Sequence, residues 1–108
     1  MAAGRAEREK HPLADINQVI HAPARLMILS NLYVVESADY VFIMRQTGLT
    51  WGNLSTHLAK LEEAGYVDVK KEFKGRKPHT ILSLTRRGRT AFREYKKSMQ
   101  QVLDDLPD

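Results

Sequence analysis

Between Lys70 and Lys97 the chain places eleven basic residues (Lys70, Lys71, Lys74, Arg76, Lys77, Arg86, Arg87, Arg89, Arg93, Lys96 and Lys97) against two acids, Glu72 and Glu94. The whole chain has a net charge of only +4, so this excess of nine positive charges is offset elsewhere. Basicity concentrated in one part of a small protein points to a polyanion, nucleic acid first and an anionic membrane surface second, although a solvated face has the same composition. Lys74-Gly75-Arg76-Lys77-Pro78 gathers three cations around a glycine. Such a hairpin end can grip phosphate or enter a minor groove, and edge hairpins also carry Lys simply for solubility. Upstream lies a second set, Thr50, Gly52, Asn53, Ser55, Thr56, His57 and Lys60, with no acid between Trp51 and Leu61. In a major groove Asn pairs with adenine and Ser and Thr with several bases, while Gly52 near a helix start lets backbone N–H groups approach a phosphate. Arg86 and Arg87 follow Thr85 at the start of another helix. Cations there oppose the helix dipole at about 0.3–1 kcal/mol each, a cost that a phosphate or a neighbouring carboxylate removes.

Other chemistries find no residues to carry them. With no cysteine there are no disulfides and no thiolate metal sites. His11, His21, His57 and His79 are scattered, without the helical pairing or acidic neighbours of a metal site. There is no phosphate-binding glycine loop, no Gly-x-Ser-x-Gly and no pair of carboxylates in an apolar setting, so neither an enzyme nor a cofactor is expected. The start, MAAGRAEREK, is polar, and the longest apolar run, Tyr40 to Met44, is far short of the roughly 20 residues a membrane span needs. A cytoplasmic protein with no membrane association is the expectation, and the Asn53-Leu54-Ser55 sequon then carries no weight.

The elements that must position these residues follow from periodicity and stop signals. At 108 residues, 43% apolar and 28% charged, the chain has room for a single domain over 1–108. Residues 1–12 read as a flexible or helical leader, and Leu13, Ile16 and Ile20 have the spacing of a short amphipathic helix. Pro23 opens the next helix, which runs to about Val35 with Leu26, Ile28, Leu29 and Leu32 inward. Ser37 or Asp39 caps a short helix that ends at Gly48, and Thr50 caps a helix from Trp51 to Ala64. In that helix Leu54, Leu58 and Leu61 form the buried stripe. At about 100° per residue, Gly52, Asn53, Thr56 and Lys60 fall on or near the opposite face, flanked by Ser55 and His57, while Trp51 is expected to pack beneath the preceding helix. Alternation from Tyr66 to Phe73 predicts a strand, Lys74 to Pro78 a loop and Thr80 to Leu84 the return strand. Thr85 caps a last helix to about Leu106, whose Phe92, Tyr95, Met99, Val102 and Leu106 keep a heptad spacing. Beyond Met99 so small a domain has little core left to cover this seam, which predicts a homodimer joined through Tyr95, Met99, Val102 and Leu106, with Leu13, Ile16 and Ile20 at the same interface.

The order is therefore a helix-turn-helix over 39–64, a basic hairpin or wing over 66–84 and a C-terminal helix over 85–106: mainly α with a small β-hairpin, a winged helix-turn-helix of the α+β class. The residues that carry this order also resemble a known group. Leu49-Thr50-Trp51-Gly52-Asn53-Leu54-Ser55-Thr56-His57-Leu58 and Lys60-Leu61-Glu62-Glu63-Ala64-Gly65-Tyr66-Val67 resemble the recognition helix and its exit in winged-helix transcriptional regulators of the MarR and ArsR kind. Leu84-Thr85-Arg86-Arg87-Gly88-Arg89 resembles the step that follows the wing, and His21-Ala22-Pro23-Ala24-Arg25-Leu26 the start of the helix before the helix-turn-helix. The long flanking helices of MarR proteins and the cysteine sites of many ArsR proteins are missing, so the likeness is to small single-domain regulators. It implies a dimeric regulator of double-stranded DNA that reads an inverted repeat. The recognition helix would enter the major groove through Thr50, Gly52, Asn53, Ser55, Thr56, His57 and Lys60. The wing would contribute Lys74, Gly75, Arg76 and Lys77, and Arg86 and Arg87 would meet phosphate. A winged helix used for protein contact and a nonspecific nucleoid-type binder are the alternatives. The first would put apolar or aromatic anchors on the exposed helix face.

Overall fold

The computed structural model describes residues 11–108. Most of the expected 1–12 leader therefore lies outside the described residues. The chain runs through a 3-10 helix (Pro12–Asp15), α1 (Pro23–Val35), β1 (Ser37–Asp39), α2 (Tyr40–Thr47), α3 (Trp51–Glu63), β2 (Val67–Lys74), β3 (Lys77–Leu84) and α4 (Arg86–Asp104). The strands form an antiparallel sheet in the order β1-β3-β2.

The helix starts and stops follow the sequence signals. Pro23 occupies the first turn of α1. Asp39, rather than Ser37, caps α2 by accepting the Phe42 N–H at 2.7 Å. Gly48 ends α2 in the left-handed conformation at φ 73°, and Thr50 caps α3 by accepting the Asn53 N–H at 3.2 Å. Ile28, Leu29 and Leu32 of α1, Ile43 of α2, Leu54 and Leu61 of α3 and Leu82 of β3 are fully buried in one core.

Three expectations change. The amphipathic helix through Leu13, Ile16 and Ile20 is a 3-10 helix followed by a turn. Asn17 is the cause: its side-chain oxygen accepts the N–H groups of Val19 and Ile20 at 3.0 and 3.1 Å, offering the backbone a partner outside a helix. The β-structure is a three-stranded sheet, because Ser37–Asp39 pairs with Ile81–Ser83 as a strand too short to show alternation. The loop of the wing is also shorter than expected: Lys74 belongs to β2, and Lys77 and Pro78 belong to β3. Only Gly75 and Arg76 form the turn, with Gly75 at φ 67° in the place a type II′ turn gives to glycine. Pro78 is tolerated because β1 reaches only Ile81–Ser83, leaving one side of β3 unpaired there.

One joint fixes α4 to the body. The Thr85 N–H donates to the Tyr66 carbonyl at 3.0 Å, its hydroxyl donates to the Gly65 carbonyl at 2.6 Å, and the same oxygen accepts the Gly88 N–H at 2.8 Å. Gly88 is buried against the Tyr66 backbone, where a side chain would run into the carbonyl. The exit from β3 is thus clamped onto the exit from α3. The N-terminal segment is tied to the same region by Asn17 to the Tyr66 hydroxyl and by His21 to the Tyr95 hydroxyl, both at 2.8 Å.

Candidate nucleic-acid interface

Leu54, Leu58 and Leu61 are 0, 3 and 0% exposed, so α3 is held along its whole length by apolar packing. That packing turns Gly52, Asn53, Thr56 and Lys60 outward, as the spacing predicted. Not all of the polar groups are free. The Tyr40 hydroxyl donates to the Trp51 carbonyl at 2.6 Å and lies 2.7 Å from the Ser55 hydroxyl, so Ser55 is engaged in holding α3 against α2. The Thr56 hydroxyl donates back to the Gly52 carbonyl at 3.0 Å, which leaves its oxygen free to accept and its methyl free to touch a base. His57 is half-buried. Burial, and then the nearby charges of Arg25 and Lys60, push its ring below the ordinary histidine range, so it is neutral at pH 7.

Trp51 does not pack beneath α2. Its ring lies against Tyr40 with centroids 4.3 Å apart, yet it remains 59% exposed. It borders a cleft of about 460 Å³ between α3 and the wing, with Ser55 and Glu62 on the helix side and Val69, Lys71 and Pro78 on the strand side. Beyond that cleft β2 and β3 continue as a two-stranded ribbon to the tip, where Lys74 pairs with Lys77 and both are exposed with Gly75 and Arg76. Arg86 and Arg87 are exposed in the first turn of α4 and make no ion pair among the described residues.

The residues expected at a dimer seam divide. Ile16, Ile20 and Tyr95 are 6, 0 and 7% exposed within the single chain, so they have little surface for a partner. Leu13 packs partly against the same core. Met99 and Val102 are half-buried on α4. The helix stops at Asp104, so Leu106 lies past its end at 61% exposure, while Leu103, absent from the heptad reading, is 60% exposed beside Met99.

Sequence reasoning also passed over Arg25. It stands in the first turn of α1, the irregularity that drew attention to Arg86 and Arg87, and the same signal would have found it. Phe73, 74% exposed on the distal ribbon, went unremarked because its alternation looked like that of a core residue.

A family model described as a winged helix DNA-binding domain matches residues 24–103. The chain belongs to that family. An uncharacterised protein of Methanocaldococcus jannaschii is 37% identical over 89 residues, covering 82% of this chain and 97% of that protein. A transcriptional regulator homologue of Pyrococcus horikoshii has a solved structure with a TM-score of 0.73 at 29% identity, covering 98% and 100% of the two chains. BpsR of Bordetella bronchiseptica shares the fold at a TM-score of 0.68 and 16% identity, over 96% of this chain and 83% of that one. The winged helix is therefore a small DNA-binding regulator rather than an enzyme. Among the described residues no helix is long and apolar enough to cross a membrane.

Proposed function

We propose that this winged helix is a sequence-specific regulator that binds double-stranded DNA as a homodimer, with α3 in the major groove and the wing on the backbone or minor groove. The observation that carries the reading is the face of α3. Asn53, Thr56 and Lys60 are exposed around Gly52 on a helix anchored by three buried leucines, and the exposed aromatic of that helix, Trp51, stands on the flank toward the wing rather than among them. A rigid helix presenting short polar groups suits base edges, whereas a protein-contact face needs apolar anchors. The cleft between α3 and the wing, with Lys71 and Glu62 in its walls, lies on the path that the sugar-phosphate strand between the two grooves would take in this reading. Met99, Val102 and Leu103 supply an apolar strip on α4 for a second copy. Two α3 helices related by a two-fold axis would read half-sites about one helical turn apart, so the target is an inverted repeat.

Selection of bound duplexes from a random pool, with sedimentation of the free protein, tests this. The expected result is an inverted-repeat motif and a dimer. A bound pool without any motif supports the nonspecific reading, and no retained DNA at all supports the protein-contact reading.

A further inference from the structure

Arg25 makes no hydrogen bond or ion pair among the described residues, and its Nε is buried without a partner. The same is true of His57 Nδ1. Both lie next to Lys60, which is exposed on α3 and likewise makes no ion pair among the described residues. Arg25 and Lys60 line a cleft of about 370 Å³ together with Gln18 and Glu63, and Glu63 is not within ion-pair distance of either cation. Two elements thus bring two cations and a histidine together, and among the described residues neither cation has an ion-pair partner. Gathering like charges and leaving the Arg25 Nε–H unsatisfied both cost free energy, and an arriving oxyanion relieves both.

The position of the cluster says which anion. Taking Leu54, Leu58 and Leu61 as the buried side of α3, Trp51, Ser55 and Glu62 fall on the flank facing the wing, and Asn53, His57 and Lys60 fall on the other. A helix seated in a major groove has one sugar-phosphate strand along each flank. We propose that Arg25, Lys60 and His57 form a phosphodiester site on the flank of α3 away from the wing, so that each wall of the groove is held by its own group of cations. This rests on the DNA-binding reading above and adds Arg25, outside the helix-turn-helix, to it. The site also couples binding to protonation. Burial first, and then the charges of Arg25 and Lys60, hold the ring below the ordinary histidine range; a phosphate beside His57 offsets those charges, so the bound protein takes up a proton more readily than the free one, with Glu63 the one carboxylate lining the adjacent cleft.

The test uses the full chain and a fluorescein-labelled duplex of mixed sequence, with affinity followed against salt. The paired variant R25Q with K60Q is expected to lower the slope of log affinity on log salt by about 0.9, one phosphate's worth, while R25K keeps the wild-type slope. On a selected duplex, a neutral methylphosphonate at one position in each half-site should weaken wild type and leave the paired variant unaffected. The His57 ring signal, followed by NMR, should titrate at higher pH in the complex than in the free protein. Should R25Q fail to fold, K60Q alone carries the test, since Lys60 is exposed. A folded paired variant with the wild-type slope overturns the inference, as does R25K losing as much as R25Q. If inorganic phosphate shifts the His57 signal while every methylphosphonate is neutral, the cluster takes a free anion and not the backbone. Wild type failing to bind any duplex sinks the DNA-binding reading itself, whereas binding with an unaltered variant sinks only this site.

Discussion

Replacing Gly88 with alanine sets two effects of known sign against each other. In an ordinary helix interior, Gly→Ala is stabilising by roughly 0.5–1 kcal/mol because it lowers the entropy of the unfolded chain. At Gly88 the added carbon would meet the Tyr66 carbonyl and stand 2.9 Å from Leu84 Cδ1. The first of these is backbone, held by the Thr85 N–H at 3.0 Å, and has no room to give. Overpacking of this kind costs about 1–3 kcal/mol. Relief by shifting α4 would stretch the Thr85 bonds to Gly65 and Tyr66, so the substitution is expected to destabilise by about 1–3 kcal/mol net. For a protein of this size that is a fall in Tm on the order of 4–8 °C per kcal/mol. Gly52→Ala is the internal control: no atom lies within 4 Å of its added carbon, so stability should be unchanged or rise by up to about 1 kcal/mol. Urea denaturation of the two variants beside wild type decides the matter. Gly88→Ala unfolding at or above the wild-type midpoint would refute the clamp between the β3 and α3 exits.

Four further outcomes follow from the same contacts. Tyr40→Phe removes the hydroxyl shared by Trp51 and Ser55 and should cost about 1–2 kcal/mol in denaturation, together with weaker DNA binding from a looser α3. Replacing Lys74, Arg76 and Lys77 by alanine should weaken binding to all duplexes alike and flatten its salt dependence by about 0.9 per lost phosphate contact, checked by fluorescence titration. Met99→Asp with Leu103→Asp should give a folded monomer by sedimentation. His57 is held below its ordinary value near 6.5, so the unfolded chain binds its proton first. Its contribution to stability is therefore intact above pH 6.5 and is lost as the pH falls through 6.5 toward the folded value, a loss that His57→Gln should abolish in thermal melts at successive pH values.

The parts of this molecule legible in its sequence are those set by local rules. Gly48 marks the end of α2, Thr50 the start of α3 and the Leu54-Leu58-Leu61 stripe its buried side, which also fixes the outward face of Asn53, Thr56 and Lys60. Thr85 likewise marks the start of α4. What escaped depends on partners far along the chain. Ser37–Asp39 becomes a strand only because β3 lies beside it. The helical spacing of Leu13, Ile16 and Ile20 gave way to the two hydrogen bonds of Asn17, and Ile16 and Ile20 serve their own core. Ser55 is on α3 as expected, but its engagement with Tyr40 bridges fifteen residues. Arg25 joins Lys60 and His57 only once α1 packs against α3.

The central claim is that α3 reads base sequence while the cations around it supply affinity. The most direct measurement is the base preference, by selection from a random duplex pool, of Asn53→Ala and Thr56→Ala proteins beside wild type and the alanine-substituted wing. The account predicts that the two α3 variants relax or change the preferred bases at particular positions of each half-site, at about 1–3 kcal/mol per lost contact, and that the wing variant keeps the wild-type motif at lower affinity. Identical motifs from the α3 variants and wild type, or a motif that changes with the wing alone, would contradict it.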